Sequence, residues 1–196
     1  MVNYMVTYDP KGIQYANSKE ELMEYLKMFK DTLMKDRLDD FYRELIYYVT
    51  RGKPEEAGNT GGPGIYAIGD LTKFFYLNGI DVLSLVTDIY PDMFYGETLT
   101  EIVIPSHIKS IGPSAFRYSQ LEKIKFAPDC QVETIGRRAF IGCSLSGEII
   151  LPPSVKSLYI SSFANQDHPT VVKYHKGTAL SDDYSYGQNI TYEEIV

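Results

Sequence analysis

Cysteine is scarce in this chain: Cys130 and Cys143 are its two, in 196 residues. That number excludes a disulfide framework, and Cys143 is expected to pack as a small buried hydrophobe. No apolar run approaches the roughly 18 residues of a membrane span, so no membrane insertion is expected. The start, MVNYMVTYDPKG, has neither the basic patch nor the apolar stretch of a secretory signal, and with Met1 as the start a cytoplasmic protein is expected. Histidine occurs three times, as His107, His168 and His175, with no cysteine or carboxylate at ligand spacing, so no metal site is expected. There is no Gly-x-Ser-x-Gly elbow and no Ser, His and Asp constellation. The glycine-rich stretch 53–64 lacks the Lys-Ser/Thr pair of a phosphate cradle. An enzyme, a cofactor and a small-molecule substrate are accordingly not expected.

Charge is negative overall, at −7, and uneven along the chain. Residues 1–98 carry 10 basic and 16 acidic groups, 99–163 carry 7 and 5, and 164–196 carry 2 and 5. Nucleic-acid binding needs clustered Lys and Arg and is not expected from this distribution. Arg117, Arg137 and Arg138 are a small basic group, read here as solvated surface.

What the chain does have is a repeat. Phe94, Phe116, Phe140 and Phe163 recur at spacings of 22, 24 and 23 residues in one local context. One unit runs Leu99, Ile102-Val103-Ile104-Pro105, Ile108, Ile111-Gly112 and Ala115-Phe116. The next runs Leu121, Ile124, Phe126, Val132, Ile135-Gly136 and Ala139-Phe140, and a third runs Leu145, Ile149, Leu151-Pro152, Val155, Leu158 and Phe163. A period of about 20 to 29 residues with aliphatic positions in constant phase is the signature of a leucine-rich-repeat solenoid, whose units bury their apolar faces by stacking. Two extra residues between Phe126 and Val132 place 127–131 in a bulging turn, and Leu158-Tyr159 replaces Ile-Gly in the third unit, so its turn is expected to differ.

Ahead of the repeats, Val2, Tyr4, Val6 and Tyr8 alternate as a short strand ending at Asp9-Pro10. Ser18 and Glu21 form a capping box before Leu22, Leu26, Phe29 and Leu33, and the stripe resumes at Leu38, Phe41, Leu45 and Val49. Helices are predicted over 18–51 and about 70–77, separated by a mobile loop at 53–64. Asp81 is predicted to cap a short turn holding Val82, Leu85 and Val86. The expected class is therefore α+β. A helical region over 1–80 caps a short solenoid of parallel strands over 81–196, closed by strands at 171–174 and 190–192. Eleven of the 17 tyrosines fall in 1–98, which marks that half as a second candidate contact region.

The pattern Ile-x-Ile-Pro, an aliphatic four residues on, then Ile-Gly-x-x-Ala-Phe is similar to the BspA-type leucine-rich repeat, found in bacterial surface proteins, some protozoa and bacteriophage genomes. The resemblance covers about residues 85–196. It implies a non-catalytic module that presents its surface to a protein partner. Since no export signal is read in the chain, an intracellular or virus-encoded member is implied, with a virus-particle component or an inhibitor of a host protein as alternative roles.

Strand alternation assigns the candidate contact residues. Ile102 and Ile104 point inward and their neighbours outward, giving one outer column of Glu101, Lys123 and Glu148 and a second of Val103, Lys125 and Ile150. The first alternates in sign, and in the second Val103 and Ile150 are the exposed apolar anchors toward a partner.

Overall fold

The computed structural model describes residues 4–9, 12–16, 39, 72, 81–181, 187 and 189–196. Strand β1, Tyr4–Asp9, stops where the alternation predicts and pairs antiparallel with β2, Gly12–Ala16, with a register shift between Met5 and Thr7.

From Asp81 the chain winds as a succession of coils, each contributing strands to two sides. Asp81 accepts from the Leu83 N–H at 3.2 Å and caps a 3-10 turn over Val82–Ser84. One side carries short strands: β3, Asp88–Ile89; β5, Ser110–Ile111; β7, Thr134–Ile135; β9, Ser157–Tyr159; and β11, Ala179–Ser181. They form a single parallel sheet in the order β11-β9-β7-β5-β3. The other side carries longer strands: β4, Glu101–Ile104; β6, Lys123–Phe126; β8, Gly147–Ile150; β10, Thr170–His175; and β12, Ile190–Ile195. These are parallel too, but fall into two sheets, β4-β6 and β12-β10-β8.

Between the two sides lies one interior. Phe94, Phe116, Phe140 and Phe163 are fully buried there, with successive ring centroids 4.8, 4.9 and 4.8 Å apart and interplanar angles of 2°, 4° and 13°. The ring spacing matches the ~4.8 Å separation of hydrogen-bonded strands, so each coil supplies one ring in register with the next. Ile104, Ile108, Ile111, Val132, Ile135, Leu151 and Leu158 fill the rest.

The turns around each ring explain why coils rather than helices form. Asp92, Ser114 and Arg138, two residues before a phenylalanine, have φ of 57°, 57° and 58°; Gly96, Tyr118, Gly142 and Asn165, two residues after, have φ of 67°, 57°, 66° and 54°. A left-handed residue on each flank reverses the winding and stops right-handed helix from propagating. The Ile-Gly step needs its glycine for space. A Cβ on Gly112 would lie 2.7 Å from the Pro91 nitrogen, and one on Gly136 would lie 2.7 Å from the Pro113 nitrogen. The third unit departs as its sequence suggests, returning through a 3-10 turn over Ile160–Phe163.

The expected α+β class with a helical cap is thereby corrected. From Asp81 on, the described residues form a parallel β-solenoid, and nowhere do the described residues contain a helix of seven residues or more; the apolar positions of the solenoid recur per coil, with left-handed turns between, and leave no length for one. The helices expected over 18–51 and 70–77 and the loop 53–64 lie outside the described residues, apart from Asp39 and Thr72. Asp39 reaches the first coil: its carboxylate accepts from the Thr87 N–H at 2.9 and 3.1 Å and from the Tyr90 hydroxyl at 2.7 Å. At the far end, strands appear where the sequence places them, at β10 and β12, with β11 between them unforeseen.

Candidate partner-binding surface

The long-strand side alternates as its sequence requires. In β4, Ile102 and Ile104 are buried while Glu101 and Val103 are exposed. Register then places Glu101 beside Lys123 and Val103 beside Lys125. In the next sheet Glu148 lies beside Val171 and Ile150 beside Lys173. All six expected contact residues are exposed, and Val103 and Ile150 are 51% and 57% accessible, high values for aliphatic side chains.

The charges pair diagonally rather than straight across. The Lys125 ammonium meets the Glu101 carboxylate of the coil below, and Lys173 Nζ lies 2.6 Å from Glu148 Oε1 in the same relation. Hydrogen bonding and attraction from Lys125 hold the Glu101 carboxyl below the usual carboxylate range, with Lys123 adding a smaller push. Glu148 in turn raises the Lys173 ammonium. Lys123 has no ion-pair partner among the described residues. A third inter-coil pair, Lys156 with Glu133 at 2.8 Å, lies beside the short strands and was not singled out from sequence.

The six residues do not form one continuous strip. No ladder joins β6 to β8, so Glu101, Val103, Lys123 and Lys125 belong to one sheet and Glu148 and Ile150 to another. From Ile124 to Ile149 there are 25 residues, against 22 and 23 in the steps on either side. Two of the extra residues lie in the turn after β6, and the third sits at Gly147, whose φ is +75°.

The arginines sit at the phenylalanine turns and are not simply solvated. The Arg117 guanidinium lies 4.8 Å from the Tyr118 ring centroid and 6.0 Å from that of Tyr95, and Arg137 lies 5.8 Å from Tyr159. The contacts of Arg117 with Tyr95 and of Arg137 with Tyr159 join neighbouring coils. His107 Nε2 lies 3.0 Å from the Leu83 carbonyl oxygen. Among the described residues no group of three or more His, Cys, Asp or Glu is placed to hold a metal ion, and no helix is long and apolar enough to cross a membrane. Both cysteines are buried free thiols, and burial pushes Cys143 up to about 11.

Residues 73–192 match the family described as BspA type leucine rich repeat region, in six copies. No curated protein matches the chain. Among solved structures, the pneumococcal vaccine antigen PcpA is 19% identical with a TM-score of 0.42, over 56% of this chain and 35% of that one. The aligned part is thus about a third of that protein's length.

Proposed function

Because the chain belongs to the BspA-type leucine-rich-repeat family, a non-catalytic scaffold for protein interaction, we propose that its long-strand side is the surface that holds a protein partner. The observation that supports this reading is the exposure of Val103 and Ile150, both aliphatic, on strands whose inward residues already complete a core. Around them Glu101, Lys123, Lys125 and Glu148 supply charges of both signs, an arrangement that favours a specific mixed-charge partner over general adsorption. Apolar anchors within a polar surround are the usual source of binding energy at such surfaces.

The test is capture from the native host with wild type and with a Val103→Asp, Ile150→Asp double variant. Loss of a band with the variant supports the surface as the contact; equal capture by both removes it. Circular dichroism on both proteins separates lost binding from lost fold.

A further inference from the structure

The break between β6 and β8 is a built opening. On the short-strand side the same two coils pair normally, Thr134 with Ser157 and Ile135 with Leu158, and Phe140 stacks on Phe163 at 4.8 Å. On the long-strand side they part: the Cα atoms of β6 and β8 stand mostly more than 8 Å from one another. Adjacent paired strands lie ~4.8 Å apart, and a gap that admits one more strand is about twice that. The opening is bounded at both ends, by the Ser144 N–H on the Leu121 carbonyl at 3.0 Å and by Ser154 Oγ on the Cys130 and Val132 carbonyls at 2.7 and 2.8 Å.

Both rims are unsatisfied strand edges. The N–H groups of Lys123 and Ala127 donate to β4's coil, so the alternate residues Ile124 and Phe126 turn their N–H and C=O toward β8. Gly147 and Leu151 donate to β10's coil, so Glu148 and Ile150 turn theirs toward β6. None of these four residues has a backbone hydrogen bond across the gap. The interior shows through as well. Ile124 and Phe126 are half-buried, whereas the equivalent Ile102, Ile104, Ile149 and Leu151 are 7%, 0%, 5% and 0% exposed.

We propose that this gap takes up an extended, acidic segment of a protein partner as an added β-strand between β6 and β8. Two facing edges offer hydrogen bonds on both sides of an incoming backbone, which is the recognition mode of strand addition. Alternate apolar side chains of the segment would cover Ile124 and Phe126. The outward ones stand beside Lys123, the rim cation without an ion pair among the described residues, and beside Ile150. Lys125 and Glu148 are already engaged in close pairs by Glu101 and Lys173, while Lys123 adds only a smaller push on Glu101, so the rim's available charge is positive and favours an acidic strand. The proposal rests on the scaffold reading above and gives it a partner chemistry.

The probe is a fluorescein-labelled hexapeptide of alternating valine and glutamate, followed by anisotropy on the full chain. Binding is expected, weakened at least about tenfold when alternate peptide nitrogens are methylated, since two or more hydrogen bonds of ~1 kcal/mol are lost. Lys123→Glu should weaken it and reverse preference toward a valine–lysine peptide, while Lys156→Ala, beside the short strands and away from the gap, should leave it unchanged. Amide exchange gives an independent readout. The N–H groups of Ile124, Phe126, Glu148 and Ile150 should exchange freely in the free protein and become protected with peptide. No binding at millimolar peptide, equal binding of the methylated peptide, or protection of these amides without peptide would each overturn the inference. Those failures leave the scaffold reading intact where a Val103→Asp single variant, altered on β4 and outside the gap, still loses capture of the host partner.

Discussion

Cys143 Sγ lies 3.1 Å from the Phe116 carbonyl oxygen one coil below, and donates its proton to it. One coil on, Gln166 takes the same role, its Nε2 donating to the Phe140 carbonyl at 2.8 Å while its Oε1 accepts from the Leu145 N–H at 3.2 Å. The Phe116 and Phe140 turns therefore have their carbonyls satisfied from the coil above. For Cys143 this requires the neutral thiol. Burial raises its pKa from 9.0 to about 11, so between those values the unfolded chain loses a proton the folded chain keeps. Stability is full below pH 9 and falls as pH rises toward 11, by up to about 3 kcal/mol. Urea midpoints from pH 8 to 11 for wild type and Cys143→Ala test this, with a flatter profile expected for the variant.

Phe140 has a stacked ring on each side, while Phe94 is the first of the series. Phe140→Ala should cost about 3 to 5 kcal/mol, as large buried aromatics do when truncated. Phe94→Ala should cost less. Denaturant titration of both variants reads the order directly, and a Phe140 loss under about 1 kcal/mol would contradict a filled interior.

Gly112→Ala pushes a methyl to 2.7 Å from the Pro91 backbone nitrogen, where only main-chain movement relieves the clash. A cost of about 1 to 3 kcal/mol is expected from overpacking. Gly177→Ala meets nothing within 4 Å and pays only for φ of +97°, so it should be the milder change by thermal melting.

Asp39 satisfies the Thr87 N–H and the Tyr90 hydroxyl together. Asp39→Ala leaves both without that acceptor and should lower stability by about 1 to 3 kcal/mol. A double-mutant cycle with Tyr90→Phe should show coupling, since the two residues share one hydrogen bond.

On the exposed side, Lys125→Met should return the Glu101 carboxyl toward its ordinary range, as its lowering comes first from that ammonium. The stabilising contact is present above the ordinary carboxylate range and is lost as pH falls through the depressed value. Carboxyl NMR titration of wild type and variant measures the difference.

Legibility followed the range of the interactions. The phenylalanine stack and the inward column of Ile102 and Ile104 could be read because period and alternation are local properties. The outward direction of Glu101, Val103, Lys123, Lys125, Glu148 and Ile150 was legible for the same reason. Their division between two sheets was not: the extra residues in 127–131 read only as a bulging turn, and nothing in the sequence singled out Gly147. The expectation of a helical class came from stripes between residues 18 and 51, outside the described residues, and did not anticipate how fully left-handed turns at Ser114, Tyr118 and Arg138 govern the coils. Asp39 and Thr87 are 48 residues apart, and no local pattern marks them as partners.

From the amino-acid order alone came a winding of about 22 to 25 residues per turn with one ring inside each, since a repeated spacing of apolar groups has few other ways to leave water. Only the folded arrangement decided where neighbouring strands meet and where they part. Hydrogen bonding between coils depends on the relative height and rotation of two separate stretches of chain, and three added residues change that relation at a distance from where they are inserted.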